Sequence, residues 1–362
     1  MSSKTKRVFK RLVSWAGILF FALAVGMLYW QLRKYSFTDI VQALLDIPFR
    51  NLVYASFACL AGYITLSVYD YLALRYVGQA NKVSWWKWML AGMLGFAISN
   101  NAGHAVLSGG TIRYRLYTRW RIRAADIVKM VTFSGFTYFL GAVAIVVGGY
   151  FMVPHSLFQD SIAGSVGLHI LFLFCAASLG AYFAMTFLFK GKRIHISELD
   201  FKIPKPRTAL YQMLVGIADS VFAALVLYFC IRSFVDVPFT TFIGIFVIAQ
   251  TAGVFSQVPG GIGVFETVIM MALPGVKSQA SVFGALLAFR VIYYVIPLIG
   301  MGGLFVLYEH TLRTRMQRWI DEAKALKARM NLPNLPKIQL PKLPVKIKKK
   351  IKKKKKFAPR EA

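Results

Sequence analysis

Apolar blocks separated by short, mostly basic stretches fall at residues 12–32, 52–74, 88–110, 126–153, 162–189, 208–232, 238–258, 262–274 and 280–308. A helix rises 1.5 Å per residue and needs about 20 apolar residues to cross a hydrocarbon core of about 30 Å. Every block except 262–274 reaches or approaches that length. The pattern predicts an all-α integral membrane protein built as a polytopic helical bundle. Block 12–32 follows Lys4, Lys6, Arg7, Lys10 and Arg11 and lacks a small-x-small cleavage site, so it reads as an uncleaved first span.

Basic residues collect on the cytoplasmic side of membrane proteins, so the loops report direction. With the N-terminus inside, 33–50 is outside and 75–87 is inside. A full crossing by 88–110 would then place Arg113, Arg115, Arg119, Arg121 and Arg123 outside. Five arginines on that side conflict with the rule. Segment 88–112 is therefore expected to enter the membrane and return. The stretch Pro154–Asp160 carries no Lys or Arg and suits the outside, whereas Lys190, Lys192, Arg193, Lys202, Lys205 and Arg207 suit the inside. The same parity makes 238–274 a second re-entrant hairpin, broken at Pro259-Gly260-Gly261.

This count gives about six spans plus two hairpins. It also exposes an internal pattern. Span, cytoplasmic hairpin, span (52–74, 88–112, 126–153) is followed by span, outside hairpin, span (208–232, 238–274, 280–308). Equal order with opposite orientation is the inverted-repeat logic of many transporters, whose sites lie where broken helices meet.

Composition sharpens the class. The chain has 362 residues, 57% of them hydrophobic and only 16% charged, yet 44 Lys and Arg stand against 14 Asp and Glu. That balance excludes an ordinary soluble enzyme or a disordered chain. Four segments are expected: 1–11, a basic cytoplasmic N-terminus; 12–310, the transmembrane domain; 311–332, a charged juxtamembrane helix; and 333–362, a disordered tail. From Lys337 to Ala362 the tail holds eleven Lys, one Arg and one Glu. Beside a bilayer, such a run is drawn to anionic lipid. Nucleic acid is not an expected partner, because no aromatic residues interleave with the lysines. Cys59, Cys175 and Cys230 lie in apolar blocks without a C-x-x-C pair, as small hydrophobes do.

Candidate chemistry gathers in two polar, glycine-containing stretches, read here as non-helical backbone at membrane depth. The first, Ser99–Arg115, offers Asn101, His104, Ser108, Gly109, Gly110, Arg113 and Arg115. The second, Gln257–Glu266, offers Pro259, Gly260, Gly261 and Gly263. Backbone N–H groups at a helix start attract phosphate, and arginine adds charge-assisted contacts. The alternative is that the glycines only permit close helix packing. Within the spans, Asp219, Glu266 and Arg290 form a candidate midplane charge group, with Arg290 expected to pair with Asp219 or Glu266; a purely structural ion pair is the alternative. Asp70, nearer a cytoplasmic end, is expected to be wet. His104 has no second ligand in range, so no metal is expected, and no cofactor is indicated.

The runs S-G-G-T-I-R-Y-R-L-Y (108–117) and Q-V-P-G-G-I-G-V-F-E (257–266) resemble the membrane domain of the lysylphosphatidylglycerol synthase/flippase (multiple peptide resistance factor) family. They are most like its stand-alone YbhN-like inner-membrane members, and the resemblance covers roughly 10–310. It implies a bacterial inner-membrane protein, with cytoplasmic termini by the charge rule, that binds and translocates a phospholipid or lipid-linked anionic headgroup. After Leu312 only 50 residues follow, short of a catalytic domain of about 100–150, so aminoacyl transfer is not implied. A second copy or a separate synthase are the protein partners left open. The competing reading is a membrane-embedded enzyme or accessory factor modifying a lipid headgroup, for which no H-E-x-x-H or nucleophile–base set is present. A third is a scaffold without transport.

Overall fold

The computed structural model describes residues 37–102, 105–152, 162–196, 199–256, 258–273, 276, 278–308 and 310–311. Its helices are α1 (Phe37–Leu45), α2 (Phe49–Tyr76), α3 (Trp85–Ala102), α4 (Ala105–Arg119), α5 (Ala124–Met152), α6 (Ile162–Leu188), α7 (Pro206–Ile231), α8 (Phe239–Phe255), α9 (Val264–Ala272) and α10 (Gln279–Arg290). Beyond Arg290 the last helix passes through one π turn, Val291–Val295, and runs on to Tyr308. Prolines set several starts: Pro48 precedes α2, Pro206 opens α7 and Pro238 precedes α8. Each suits a helix start, where a missing N–H leaves nothing unsatisfied.

Five of these helices (α2, α5, α6, α7 and α10 with its continuation) are long and apolar enough to cross a membrane. The chain is a polytopic α-helical membrane protein. The expected first span, 12–32, lies outside the described residues, as do the tail and most of 311–332. Only 11% of the apolar window of α6 is buried, against 44–50% in the other four, so α6 lies at the periphery. The core is built from α2, α3, α5, α7, α8, α9 and α10, and centres on Tyr69, Phe242, Phe246, Leu227 and Phe289.

The first spans of the two halves run in opposite directions. Along the α2–α7 contact, Asn51 bonds Ser233, Tyr54 packs on Phe229, Gly62 faces Phe222 and Tyr69 bonds Asp219. Numbers rise on one helix as they fall on the other, so the first span of each half is antiparallel to its counterpart. By contrast, α5 and α7 are parallel: Thr137 meets Gln212, and Gly141 lies on Gly216 so closely that neither has room for a Cβ. Such backbone contact is the use membrane helices make of small residues.

Helices α3 and α4 form an antiparallel hairpin. Lys87 lies 5.7 Å from the Trp120 ring, Gly95 faces the Arg113 guanidinium, and Gly109 meets Ser99. Both ends of the hairpin therefore emerge on one side, next to the end of α2. The second hairpin consists of α8, a 3₁₀ turn at Pro259–Gly261, and α9. Phe246 packs on Phe265 with ring centroids 5.6 Å apart, and Gly253 backs onto Gly261.

Three expectations need correction. Ser99–Arg115 is not irregular backbone: it ends α3 and forms most of α4, with only Gly103 and His104 between them outside the described residues. Arg113, Arg115 and Arg119 consequently lie on a helix, not in a loop. The 33–50 loop holds α1, which packs on α10. The 190–207 loop contains a two-stranded antiparallel hairpin, β1 (Arg193–Ile196) with β2 (Leu199–Lys202), whose Arg-Ile-His-Ile alternation has the strand period of two.

Candidate functional site

The break in the second hairpin rests on three glycines with left-handed backbone: Gly260 and Gly261 at φ 63° and Gly263 at φ 85°. Side chains with a Cβ disfavour this region, so the run turns where other residues would be strained. Glu266, in the first turn of α9, reaches back so that its Oε2 accepts the Gly263 N–H at 2.7 Å. Its Oε1 takes Arg290 from α10, with Nε at 2.7 Å and Nη2 at 2.6 Å. Arg290 also donates from Nη1 to the Gly260 carbonyl. One arginine thus holds both the turn and the carboxylate that caps the helix after it.

The tip of the first hairpin meets this turn. A methyl group on Gly260 would stand 3.5 Å from the Asn100 carbonyl. Asn101 donates to the Ala97 carbonyl at 2.8 Å and across to the Tyr294 carbonyl at 3.1 Å. The π turn explains why acceptors are available on α10, since a widened turn releases carbonyls from the regular ladder. Tyr63 donates to the Tyr293 carbonyl at 3.0 Å, and the Cys59 thiol lies 3.3 Å from that of Ile292. The tips of the two hairpins and the π turn therefore meet around Gly260, whose carbonyl Arg290 holds while its guanidinium sits 4.6 Å from the Tyr294 ring centroid.

A second buried charge pair lies nearer the end of α2. Arg113 Nε donates to both Asp70 oxygens, at 2.9 and 3.1 Å, and Tyr117 adds a hydroxyl donor at 2.8 Å. Arg113 is 3% exposed and Asp70 1%, so the expected wet Asp70 is instead enclosed. The guanidinium also stacks 4.4 Å from the Phe96 centroid, and its Nη2 has no hydrogen-bond partner among the described residues. Glycine makes this packing feasible: Gly95 and Gly109 crowd against the guanidinium where larger residues would collide.

Asp219 does not join Arg290. Its Oδ2 accepts the Tyr69 hydroxyl at 2.9 Å, and its Oδ1 has no partner among the described residues. Tyr293 and Tyr294, ring centroids 5.4 Å apart, lie in the π turn that follows Arg290, and the Tyr294 ring is in contact with the Arg290 guanidinium. Asp219, Glu266 and Arg290 thus form one ion pair and one separate carboxylate, which is held by Tyr69.

The remaining candidates disperse. Arg115 is exposed on α4, 5.5 Å from the Phe305 ring. A Cβ at Gly110 would touch only Val131, at 3.8 Å. His104 and the Ser108 and Pro259 side chains lie outside what the structure describes, although Pro259 itself opens the 3₁₀ turn. Among the described residues no group of three metal-ligating side chains occurs. Sequence reasoning missed Tyr69, Tyr117 and the Tyr293–Tyr294 pair, because nothing local marks a tyrosine as the partner of a carboxylate many residues away.

The model of the family described as lysylphosphatidylglycerol synthase TM region matches residues 14–300. The chain is 34% identical over 321 residues to "Uncharacterized protein slr0712" of Synechocystis, covering 85% of this chain and 95% of that one. It is 26% identical over 298 residues to "Inner membrane protein YbhN" of Escherichia coli, covering 81% and 90%. Likeness to the "Phosphatidylglycerol lysyltransferase" of Staphylococcus aureus is local: 41% over 93 residues, covering 25% of this chain and 11% of that enzyme.

Proposed function

Since the chain belongs to the lysylphosphatidylglycerol synthase transmembrane family, we propose that it binds an anionic phospholipid or lipid-linked headgroup and carries it between leaflets. The observation that carries this reading is that the tips of the two hairpins meet at the Gly260 turn, which the Arg290–Glu266 ion pair holds. Charged groups at membrane depth are expensive and mark substrate paths, and discontinuous helices supply polar backbone there.

In this reading the Gly260–Gly263 turn and the Asn101 side chain contact the headgroup, with His104 and Ser108 at the neighbouring tip. Arg290 exchanges Glu266 for the lipid phosphate. Arg113 and Arg115 receive the phosphate from the cytoplasmic side, with Asp70 holding the Arg113 guanidinium between passages. Asp219, bonded on one oxygen only, completes the polar path. Both termini face the cytoplasm and the membrane is the inner one, supported by the basic end of the bundle and by the name of the Escherichia coli relative, an inner membrane protein.

A second reading is an accessory role in headgroup modification beside a separate synthase. The local likeness to staphylococcal phosphatidylglycerol lysyltransferases favours it. Leaflet exchange in proteoliposomes separates the two. Purified protein should speed the exchange of headgroup-labelled phosphatidylglycerol over protein-free vesicles. No acceleration for any anionic lipid would remove translocation and leave the accessory role.

A further inference from the structure

The basic end of the bundle holds a feature that the buried pairs do not use. A cavity of about 430 Å³ opens between the end of α2, strand β2 and the start of α7. Its volume falls in the range of about 300–1,000 Å³ usual for ligand pockets. Leu72 and Ile203 contribute buried apolar lining, and the cationic lining comes from Arg75, Lys202, Lys205 and Arg207. Among the described residues no carboxylate lines the cavity and none of the four cations forms an ion pair.

Helix electrostatics accounts for only one of these positions. Arg75 lies in the last turn of α2, where the dipole favours a cation. Lys205 and Arg207 flank Pro206 at the start of α7, where the dipole disfavours one. Two cations at a helix N-terminus, facing two more across a cavity, repel one another and the dipole. A bound anion offsets the repulsion among the cations and is favoured by the dipole at the start of α7. The wall is also fixed in place: the Tyr76 hydroxyl donates to the Lys202 carbonyl at 2.7 Å and accepts its N–H at 2.9 Å. Alongside, α7 presents Leu210, Tyr211 and Leu214 outward, 44%, 54% and 49% exposed, an apolar strip suited to acyl chains below a headgroup.

We propose that this cavity is a binding site for a phosphate group, held by Arg75, Lys205 and Arg207 with Lys202, separate from the buried charge pairs. Arginine supplies the planar donors that match phosphate oxygens, and lysine supplies charge. The phosphate can be carried by a lipid headgroup or by a soluble ester, and binding requires no translocation.

The test uses the full chain purified in detergent, with native mass spectrometry reading retention of dioleoylphosphatidylglycerol. The triple variant Arg75→Gln/Lys205→Gln/Arg207→Gln should bind at least about ten-fold more weakly, as expected for three interfacial charges. Lys190→Gln/Lys192→Gln/Arg193→Gln removes equal charge from exposed positions beside the cavity and should stay within about two-fold of wild type. Equal losses in both variants, or no loss in the first, overturns the proposal. All three cavity residues replaced are exposed, and the single variant Arg207→Gln, expected to weaken binding about two- to five-fold, provides the same reading should the triple variant fold poorly. A second arm adds glycerol 3-phosphate: displacement of the lipid assigns a site that takes either source, and retention assigns it to the lipid.

Discussion

The Tyr69 hydroxyl donates to Asp219 Oδ2 across 2.9 Å, joining the first span of one half to the first span of the other. The next residue, Asp70, projects about 100° further round the helix and takes Arg113. Two consecutive residues of α2 therefore serve two buried polar sites, one on α7 and one on α4. Replacing Tyr69 by Phe removes the donor and leaves the buried Asp219 carboxylate unsatisfied, which costs about 1–3 kcal/mol. The expected outcome is a lower unfolding free energy for Tyr69→Phe in SDS titration and a partial recovery in Tyr69→Phe/Asp219→Leu, since removing both partners is milder than removing one.

Arg113 and Asp70 should behave as a coupled pair. Breaking a buried ion pair by removing one partner costs about 3–5 kcal/mol, because the other charge is left without compensation. Asp70→Asn and Arg113→Gln should each destabilise strongly, and the double variant should cost clearly less than the sum. Purely additive losses in this double-mutant cycle would refute the coupling.

The glycine turn predicts a ranking. Gly261→Ala meets both a left-handed φ of 63° and the Gly253 Cα at 3.1 Å, whereas Gly244, inside α8, has no atom within 4 Å of an added Cβ. Gly261→Ala should destabilise by about 1–2 kcal/mol or more from backbone strain alone. Gly244→Ala should be close to neutral. Thermal unfolding in detergent checks the order.

The antiparallel α3–α4 hairpin predicts accessibility. Cysteines at Lys82, Arg121 and Lys192 should label from one side of the membrane, and a cysteine at Asp236 from the other. The native thiols Cys59, Cys175 and Cys230 are buried and should contribute little background. Labelling of Lys82→Cys and Arg121→Cys from opposite sides would contradict the hairpin.

Much of this architecture was legible in the sequence, for physical reasons that also mark the limits. The conflict between five arginines and a simple crossing required 88–112 to turn back, and Pro259-Gly260-Gly261 marked the second break because few other residues tolerate that backbone. Gly109 marks a limit: a glycine inside a helix, there to admit Ser99 and the Arg113 guanidinium, leaves the same mark in sequence as one in a loop. Asp70 reads as exposed from its distance to the end of its block, because the hairpin covering that end comes later in the chain. The choice of Glu266 over Asp219 as the partner of Arg290 depends on how α9 packs against α10, which no local pattern records.

The central claim is that the Arg290–Glu266 pair lies on the path of a lipid headgroup. It is tested most directly by leaflet exchange of fluorescent phosphatidylglycerol in proteoliposomes, comparing wild type with Arg290→Gln and Glu266→Gln at matched folded fraction. The account predicts at least about a ten-fold slower exchange for Arg290→Gln, the equivalent of about 1.4 kcal/mol or more. Wild-type exchange by a folded Arg290→Gln protein would contradict it.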